Sequence, residues 1–251
     1  MNDKRVLFIT GGTGGIGLET CRRFGREGFA IALNSHKPES GAQALAQLLS
    51  EGIDVKLFPG DMTREAEVDS AVAATIQHFG RIDVLFNNAG GLGGRAAAEE
   101  MSLDFWTKVL DLNLTSTFLC TRACIPHLKA RGNAAVINVT SIAAYNGGGP
   151  GASAYAVSKA GVLALTRAHA KELIGMGIRV NAVSPGTIDT PFHDETRKKN
   201  PALLDKWVQD IPAKRLGQPS EVADLVYFLA SNQASYLVGE VIQVNGGQMM
   251  L

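Results

Sequence analysis

The sequence predicts one α/β domain built on a doubly wound parallel sheet of about seven strands, with helices on both faces. Short apolar runs alternate along the chain with longer amphipathic stretches, which is the order of repeated strand–helix units. The apolar runs lack in-and-out alternation, as expected of parallel strands that are buried on both faces. Because no composition break, charged linker or fixed-period repeat divides the chain, we expect a single domain over residues 1–251.

The predicted elements follow one another in a regular order. Repeated strand–helix units imply right-handed crossovers between parallel strands. Strands are expected at residues 6–10, 30–34, 55–58, 84–87, 135–140, 179–183 and 241–244. Helices are expected near residues 16–27, 41–51, 64–79, 103–130, 155–175 and 220–230.

The largest irregular segment is expected at residues 185–212, which open with the sequence PGTIDTPFHDE. A segment of this length inside a compact domain is often a lid or a binding loop. It follows the carboxyl end of a strand, where open α/β sheets bind their ligands. We therefore expect a substrate lid at about residues 187–212.

The composition excludes several classes of function. The 24 basic and 24 acidic residues cancel, so no bulk field attracts nucleic acid or a membrane surface. Three cysteines without a CxxC motif argue against a disulfide framework or a zinc site, and the histidines have no metal-ligand spacing. Too few apolar residues precede the first glycines for a signal peptide or a membrane span. We expect a cytoplasmic protein with a small-molecule substrate and no metal.

A glycine-rich turn follows the first predicted strand, in the sequence VLFITGGTGGIG. Gly12, Gly14 and Gly17 fit the spacing G-x-G-x-x-G, while Gly11, Gly15 and Gly17 fit G-x-x-x-G-x-G. Such a turn between a strand and a helix lets the backbone approach a pyrophosphate, which the helix N-terminus stabilises. No Lys-Ser/Thr pair follows the last glycine, so a P-loop is excluded. The turn predicts a dinucleotide site.

The end of the second strand indicates which dinucleotide binds. An NAD site usually places Asp or Glu there to accept a hydrogen bond from the ribose 2′-hydroxyl. This chain has Asn34, and a 2′-phosphate could be met by Ser35, His36 and Lys37. The pocket lacks an arginine, so the sequence favours NADP(H) without excluding NAD(H).

Tyr155 and Lys159 indicate the chemistry. They are four residues apart at the start of a predicted helix and so share one face. At roughly 4 Å a lysine cation stabilises a phenolate by about 4 kcal/mol. This energy corresponds to a lowering of the phenol's pKa by roughly three units, before the cost of desolvation is subtracted. Such a shift would bring the pKa of Tyr155 close to working pH. Ser141 ends the preceding strand and could donate to a substrate carbonyl oxygen while Tyr155 delivers the proton.

At this point the chain resembles the short-chain dehydrogenase/reductases over essentially its whole length, which implies a Rossmann-type fold and an NAD(P)(H)-dependent oxidoreductase. The motifs that carry the resemblance are TGGTGGIG, GDM, NNAG, LDLNLTS, YAVSK, SPGTIDT and VNGG. The family's loop settles the glycine register at Gly11, Gly15 and Gly17. The cofactor contacts implied by the resemblance, besides those at 34–37, are Gly11, Thr13, Gly15, Ile16, Gly17, Asp61, Met62, Asn88, Ala89, Gly90, Tyr155, Lys159, Pro185, Gly186, Ile188 and Thr190.

Asn113, Ser141, Tyr155 and Lys159 match the family's catalytic tetrad. The resemblance implies that Asn113 holds a helix backbone open around a water that relays protons to Lys159; the alternative is a buried amide bonded to its own helix. Ser141 and Tyr155 are one residue further apart than is usual in the family, and the glycine-rich NGGGPG between them can absorb the insertion.

The substrate is less well determined by the sequence. RLGQPSEVADLVYFLAS at 215–231 resembles the 3-oxoacyl-[acyl-carrier-protein] reductases, whereas NNAGGLGGR, SIAAYNGGGPGA and PGTIDTPFHD resemble bacterial reductases of 4-deoxy-5-hexoseulose uronate. Arg95 could bind a sugar-acid carboxylate bidentately, or it could be a solvated loop residue. We expect reduction of a small polar carbonyl compound; another ketone or secondary-alcohol dehydrogenase and a non-catalytic dinucleotide sensor remain alternatives.

The apolar C-terminal sequence VIQVNGGQMML would be exposed in a monomer and requires cover. In the family that resembles this chain, the corresponding edge commonly forms a subunit contact. A homotetramer is therefore expected by resemblance.

Overall fold

The computed structural model describes residues 4–251. Its seven strands form one parallel sheet in the order β3-β2-β1-β4-β5-β6-β7, so the predicted doubly wound α/β fold is confirmed. The order reverses between β1 and β4, and both strands end at the same edge of the sheet. The strands are β1 (Val6–Ile9), β2 (Ala30–Ser35), β3 (Val55–Pro59), β4 (Val84–Asn87), β5 (Ala134–Val139), β6 (Ile178–Pro185) and β7 (Val241–Val244).

Helices cover both faces of the sheet. Side chains of α1, α2 and α10 pack in one apolar cluster against it, and side chains of α3, α5 and α7 pack in a second. The helices are α1 (Gly15–Arg26), α2 (Pro38–Ser50), α3 (Glu65–Phe79), α4 (Leu103–Leu110), α5 (Ser116–Lys129), α6 (Ala143–Asn146), α7 (Ser153–Leu173), α8 (Asp194–Lys199), α9 (Pro201–Asp210) and α10 (Pro219–Ala230).

The predicted helix at 103–130 is interrupted. A π-helix at Asp111–Thr115 separates α4 from α5, and the short helix α6 was not predicted. The π-helix contains Asn113, whose side chain bonds both to its own helix and to a distant loop. Such a contact is not encoded in the local periodicity, which continues through the break.

The prediction that residues 185–212 are irregular is wrong. The segment folds into a short 3-10 helix at Pro191–His193 followed by α8 and α9. Asn200 caps α9 by accepting a hydrogen bond from the Leu203 amide at 3.1 Å, and Pro201 occupies its first turn. The Asn-Pro pair is a helix-start signal that was present in the sequence.

The glycine turn is constrained at four of its five glycines, and a Cβ on Gly12 would lie 2.4 Å from Leu33 Cδ1. Gly11 and Gly15 have left-handed φ angles of 63° and 50°. A Cβ on Gly17 would lie 2.4 Å from the Gly11 carbonyl oxygen and 2.7 Å from the Asn88 amide nitrogen, whereas a Cβ on Gly14 would meet no atom within 4 Å. These constraints favour the spacing Gly11, Gly15 and Gly17 over the alternative that uses Gly14.

We predict that Gly17→Ala lowers the free energy of unfolding by at least about 2 kcal/mol or prevents folding, because the new methyl group meets backbone that cannot move aside. Gly14→Ala is the matched control and should change stability by no more than about 1 kcal/mol. Urea denaturation without nucleotide measures both. An equal loss in the two variants would show that the turn is not packed in this way.

Candidate active site

A cavity of about 680 Å³ runs along the carboxyl edge of the sheet. It extends from the glycine turn after β1 to the start of α7. Most of the residues predicted to bind cofactor or substrate line it: Gly11, Thr13, Gly15, Ile16, Asn34, Ser35, His36, Lys37, Asp61, Met62, Asn88, Ala89, Gly90, Ser141, Tyr155, Lys159, Pro185, Gly186, Ile188 and Thr190. Gly17, Asn113 and Arg95 are not part of the lining.

Several lining residues were missed by sequence reasoning. Ser40 on α2 lines the cavity, as do Leu112 in the π-helix, Ser116 on α5 and Ile142 after β5. Phe192 and His193 come from the segment that was expected to be irregular. Phe192 and His193 are aromatic side chains within the predicted lid, and this feature of the sequence could have identified them as lining residues.

The segment Asn88–Gly90 fixes the glycine turn to the end of β4. The Asn88 side-chain amide donates to the carbonyls of Gly11 at 2.8 Å and Thr10 at 3.2 Å. In return, the Thr10 hydroxyl accepts from the backbone amides of Asn88 at 3.1 Å and Ala89 at 3.0 Å. Four hydrogen bonds thus hold the two strand ends in one arrangement.

The site fits a dinucleotide. Open space in front of Gly14 leaves the N-terminus of α1 accessible, and the first turn of that helix carries no acidic residue. A Cβ on Gly15 would lie 2.9 Å from Thr190 Cγ2, so the segment after β6 closes directly against the glycine turn. Asp61 is oriented by hydrogen bonds from the Thr63 amide and hydroxyl, each 2.9 Å long.

The end of β2 is shaped by local hydrogen bonds. Asn34 is buried, and its amide donates to the carbonyls of Phe58 and Gly60, each at 3.1 Å. The Ser35 hydroxyl donates to the Lys37 carbonyl at 2.9 Å, in a turn that leads into α2. Asn34 therefore uses its side-chain donors within the fold, and the exposed side chains of His36 and Lys37 face the cavity.

Lys159 is buried, with only 4% of its surface exposed. Its ammonium group donates to the Val139 carbonyl at 2.8 Å, and the Thr140 hydroxyl donates to the Lys159 carbonyl at 2.8 Å. Burial lowers the pKa of Lys159 to about 8, since the charged form loses its hydration. The ammonium is still mostly protonated at neutral pH.

The expectation that Lys159 brings the Tyr155 phenol close to working pH is wrong for this structure. Burial raises the pKa of Tyr155, and a hydrogen bond with Ser141 only partly opposes that effect. The Lys159 ammonium lies 5.8 Å from the centroid of the Tyr155 ring and is bonded to a backbone carbonyl. The phenol is accordingly held in its neutral, proton-donating form.

Asn113 links the π-helix to the cavity wall. Its side-chain amide donates to the carbonyls of Val109 at 3.0 Å and Gly91 at 2.9 Å, and its oxygen accepts from the Gly91 amide at 3.0 Å. It therefore bonds to its own helix and to a second segment. A Cβ on Gly90 would lie 2.7 Å from the Asn113 side-chain oxygen and 3.2 Å from the Lys159 nitrogen, so these three residues are in close proximity.

Arg95 lies outside the cavity. Its guanidinium donates to the Pro150 carbonyl at 2.6 Å, and the neighbouring Ala96 amide donates to the Gly151 carbonyl at 3.1 Å. The side chain is exposed and ties two surface loops together. Nothing in its position directs it at Tyr155.

Comparison with known proteins agrees with this geometry. The family model described as enoyl-(acyl carrier protein) reductase matches residues 11–249. The chain belongs to the short-chain dehydrogenase/reductase family. This short-chain dehydrogenase/reductase is 36% identical over 245 residues to a 3-oxoacyl-[acyl-carrier-protein] reductase of Thermotoga maritima, covering 97% of each chain. A 3-oxoacyl-[acyl-carrier-protein] reductase of Synechocystis is 37% identical over 248 residues, covering 98% of this chain and 97% of that protein.

Solved structures of similar proteins share the fold throughout. Actinorhodin polyketide ketoreductase with NADPH superposes with a TM-score of 0.94 at 32% identity, over 99% of this chain and 98% of that one. An NADH-dependent reductase responsible for alginate metabolism gives a TM-score of 0.89 at 39% identity, over 100% of this chain and 99% of that one. This short-chain dehydrogenase/reductase is thus an oxidoreductase. Within residues 4–251, no helix is both long and apolar enough to cross a membrane.

Removing the buried charge should change how stability depends on pH. The folded-state pKa of Lys159 is about 8 against an ordinary 10.5, so between these values the unfolded chain binds more protons and stability rises with pH. We predict that the free energy of unfolding of the wild type, relative to Lys159→Met, increases by about 2 kcal/mol across this window. Denaturant titrations at a series of pH values from 8 upward measure the free energy of unfolding of both proteins. If this free energy depends on pH in the same way in wild type and Lys159→Met, the burial assigned to the Lys159 ammonium is contradicted.

Proposed function

We propose that the protein reduces the ketone group of a small polar molecule with NADPH, and that Tyr155 donates the proton to the ketone oxygen. The observation that carries the proposal is the single cavity that joins the glycine turn to Ser141, Tyr155 and Lys159. A dinucleotide sensor without turnover has no need of this buried acid–base group, so catalysis is the better account.

The nucleotide would be held by the chain's own backbone and polar side chains. Its pyrophosphate fits the glycine turn at the N-terminus of α1, and Asp61 and Met62 flank the adenine end. Residues 185–190 would meet the nicotinamide end. When bound, the reduced nicotinamide supplies the hydride.

Tyr155 and Ser141 act on the substrate oxygen. Burial keeps the phenol protonated, which is the state that a proton donor to a developing alkoxide needs. The Ser141 hydroxyl, which accepts a hydrogen bond from the Ala143 amide at 3.1 Å, lies at the end of β5 and would donate to the same oxygen. The two groups polarise the ketone from one side.

Lys159 and Asn113 support the proton transfer. The ammonium group carries a proton at neutral pH and would offset part, but not all, of the cost that burial places on the phenolate left when Tyr155 donates. Asn113 keeps the π-helix and the Gly90–Gly91 backbone beside that ammonium. These groups supply the acid–base part of the reaction.

NADPH is the proposed nucleotide because the rim after β2 is basic. Ser35, His36, Lys37 and Ser40 line the cavity there, and no carboxylate at 34–37 would repel a 2′-phosphate. A relative was solved with NADPH, which supports this choice. NADH remains the second candidate, since the similar alginate-metabolism reductase is NADH-dependent.

The proposed substrate is 4-deoxy-L-erythro-5-hexoseulose uronate or a related keto sugar acid. The similarity to an alginate-metabolism reductase supports it. The 3-oxoacyl-[acyl-carrier-protein] reductases among the relatives favour a second candidate, reduction of a 3-oxoacyl thioester. The two differ in the polarity of the group beside the ketone.

The proposed assembly is a homotetramer in the cytoplasm. Exposed apolar side chains require cover, among them Leu103 on α4, Phe118 on α5, and Met250 and Leu251 at the C-terminus. The three buried free cysteines suit a reducing compartment.

Tyr155→Phe should lower kcat for ketone reduction by at least about 100-fold, because the proton donor is lost. Nucleotide affinity should stay within about threefold, since Tyr155 is only one of many proposed nucleotide contacts and the phenyl ring is kept. The assay is loss of NADPH absorbance with a ketone panel. Tyr227→Phe, which removes a hydroxyl that bonds to Glu27 outside the cavity, is the matched control. Equal rates in wild type and Tyr155→Phe would refute the mechanism.

Lys37→Ala should weaken NADPH binding by about tenfold and leave NADH binding nearly unchanged, because only NADPH has the 2′-phosphate. Fluorescence titration with each nucleotide measures the two constants. Lys56→Ala, on β3 and outside the cavity, should change neither. If Lys37→Ala weakens both nucleotides equally, the basic rim does not select NADPH.

A further inference from the structure

We propose that His193 recognises the substrate by hydrogen-bonding an oxygen substituent, a hydroxyl or a carboxylate, near the ketone, and thereby selects keto sugar acids over 3-oxoacyl esters. The inference rests on the proposed function, namely ketone reduction at Tyr155. It assigns to His193 the substrate contact that the sequence suggested for Arg95.

His193 lies at the substrate end of the cavity. The preceding residue, Phe192, has its ring centroid 6.1 Å from that of Tyr155, with the two planes tilted by 47°. Both Phe192 and His193 line the cavity. A substrate with its ketone at Tyr155 must therefore pass along this part of the wall.

The imidazole is held by two aromatic neighbours. Its ring centroid lies 5.0 Å from that of Phe192 and 5.8 Å from that of Trp207 on α9, both in edge-to-face orientation. The His193 amide also donates to the Thr190 carbonyl at 3.1 Å, which closes the turn that carries the ring. These contacts restrict the position of the ring without a hydrogen bond to either of its nitrogens.

The charged groups around His193 are already paired with one another. Arg197 on α8 bonds to Asp189 at 2.6 Å and to Asp194 at 2.5 Å, which satisfies the two nearest carboxylates. In the described part of the chain, neither ring nitrogen of His193 takes part in a hydrogen bond within the protein. Burial and Arg197 lower the pKa of His193, while the two carboxylates act in the opposite direction. The neutral ring thus offers one donor and one acceptor to the cavity.

Other polar side chains at this end are bonded within the protein. The Ser116 hydroxyl donates to the Leu112 carbonyl at 2.7 Å, and the Thr187 hydroxyl donates to Gln248 at 3.1 Å. Arg95 donates to the Pro150 carbonyl and lies outside the cavity. Besides His193, Tyr155 and Lys159, the ionisable side chains in the cavity wall are His36, Lys37 and Asp61, which lie at the nucleotide end.

The chemistry of the ring defines the substrate class. A hydroxyl can both donate to and accept from a neutral imidazole, and a carboxylate accepts a strong hydrogen bond from it. The ester of a 3-oxoacyl compound can only accept, and more weakly than a carboxylate, while its alkyl end would leave the imidazole nitrogens without a partner. A site built to hydrogen-bond an oxygen rejects analogues that lack it. His193 is therefore a specificity-determining residue for oxygen-rich ketones.

The test compares wild type, His193→Phe and His193→Gln with NADPH on two substrates, 4-deoxy-5-hexoseulose uronate and ethyl acetoacetate. Phenylalanine keeps the contacts with Phe192 and Trp207 and removes the ring nitrogens; glutamine restores a hydrogen-bonding group. We expect His193→Phe to lower kcat/KM on the uronate by at least about tenfold, mainly through KM, and to change ethyl acetoacetate by less than about twofold. His193→Gln should recover most of the loss.

Several results would overturn the inference. These are an unchanged KM for the uronate in His193→Phe, an equal loss on both substrates, or a larger uronate loss in Arg95→Ala than in His193→Phe. If wild type reduces ethyl acetoacetate but not the uronate, the inference fails while ketone reduction stands. If wild type reduces the uronate alone, a raised KM with nearly unchanged kcat in His193→Phe supports the inference. A lowered kcat with an unchanged KM overturns it. Failure of wild type to reduce any ketone would refute the proposed function itself and the inference with it.

Discussion

Lys159 carries an ammonium group into the buried end of the cavity, and the other proposed catalytic groups depend on the contacts that hold this charge in place. Its nitrogen is bonded to the Val139 carbonyl at the end of β5, and its own carbonyl accepts from the Thr140 hydroxyl. Both contacts attach α7 to the strand end that carries Ser141. The burial that lowers the pKa of the lysine also keeps Tyr155 neutral, so one environment sets both proton affinities.

The parallel sheet explains why the residues proposed to bind nucleotide and substrate line one cavity. Strands β1 and β4 are neighbours at the point where the strand order reverses, and their carboxyl ends leave a crevice. Hydrogen bonds from Asn88 and to Thr10 hold the two sides of that crevice together. The segment after β6 reaches back to Gly15, so this segment and the glycine turn lie on the same edge of the sheet.

Much of this arrangement was predictable from local signals. Apolar runs placed the seven strands within one or two residues, because buried parallel strands have a strong compositional pattern. Local periodicity did not predict the π-helix at Asn113, since the Asn113 side chain bonds to Gly91 in another segment. Only the family resemblance implied that Asn113 holds the helix backbone open. The sequence analysis missed α8 and α9. Asn200 and Pro201 signal the start of α9, but α8 before it has only six residues and little apolar periodicity. Arg95 was a candidate because arginine binds carboxylates, but its side chain lies outside the cavity. The residue type alone could not reveal that position.

Hydride transfer from a reduced nucleotide to a ketone carbon beside Tyr155 can be followed with isotope. A ketone is reduced with nucleotide deuterated at the transferable position of C4, and the alcohol is analysed by mass spectrometry and NMR. We expect one deuterium on the carbinol carbon, with oxidised nucleotide formed in equal amount. An alcohol without deuterium, or nucleotide that binds without being oxidised by any ketone, would contradict this hydride transfer.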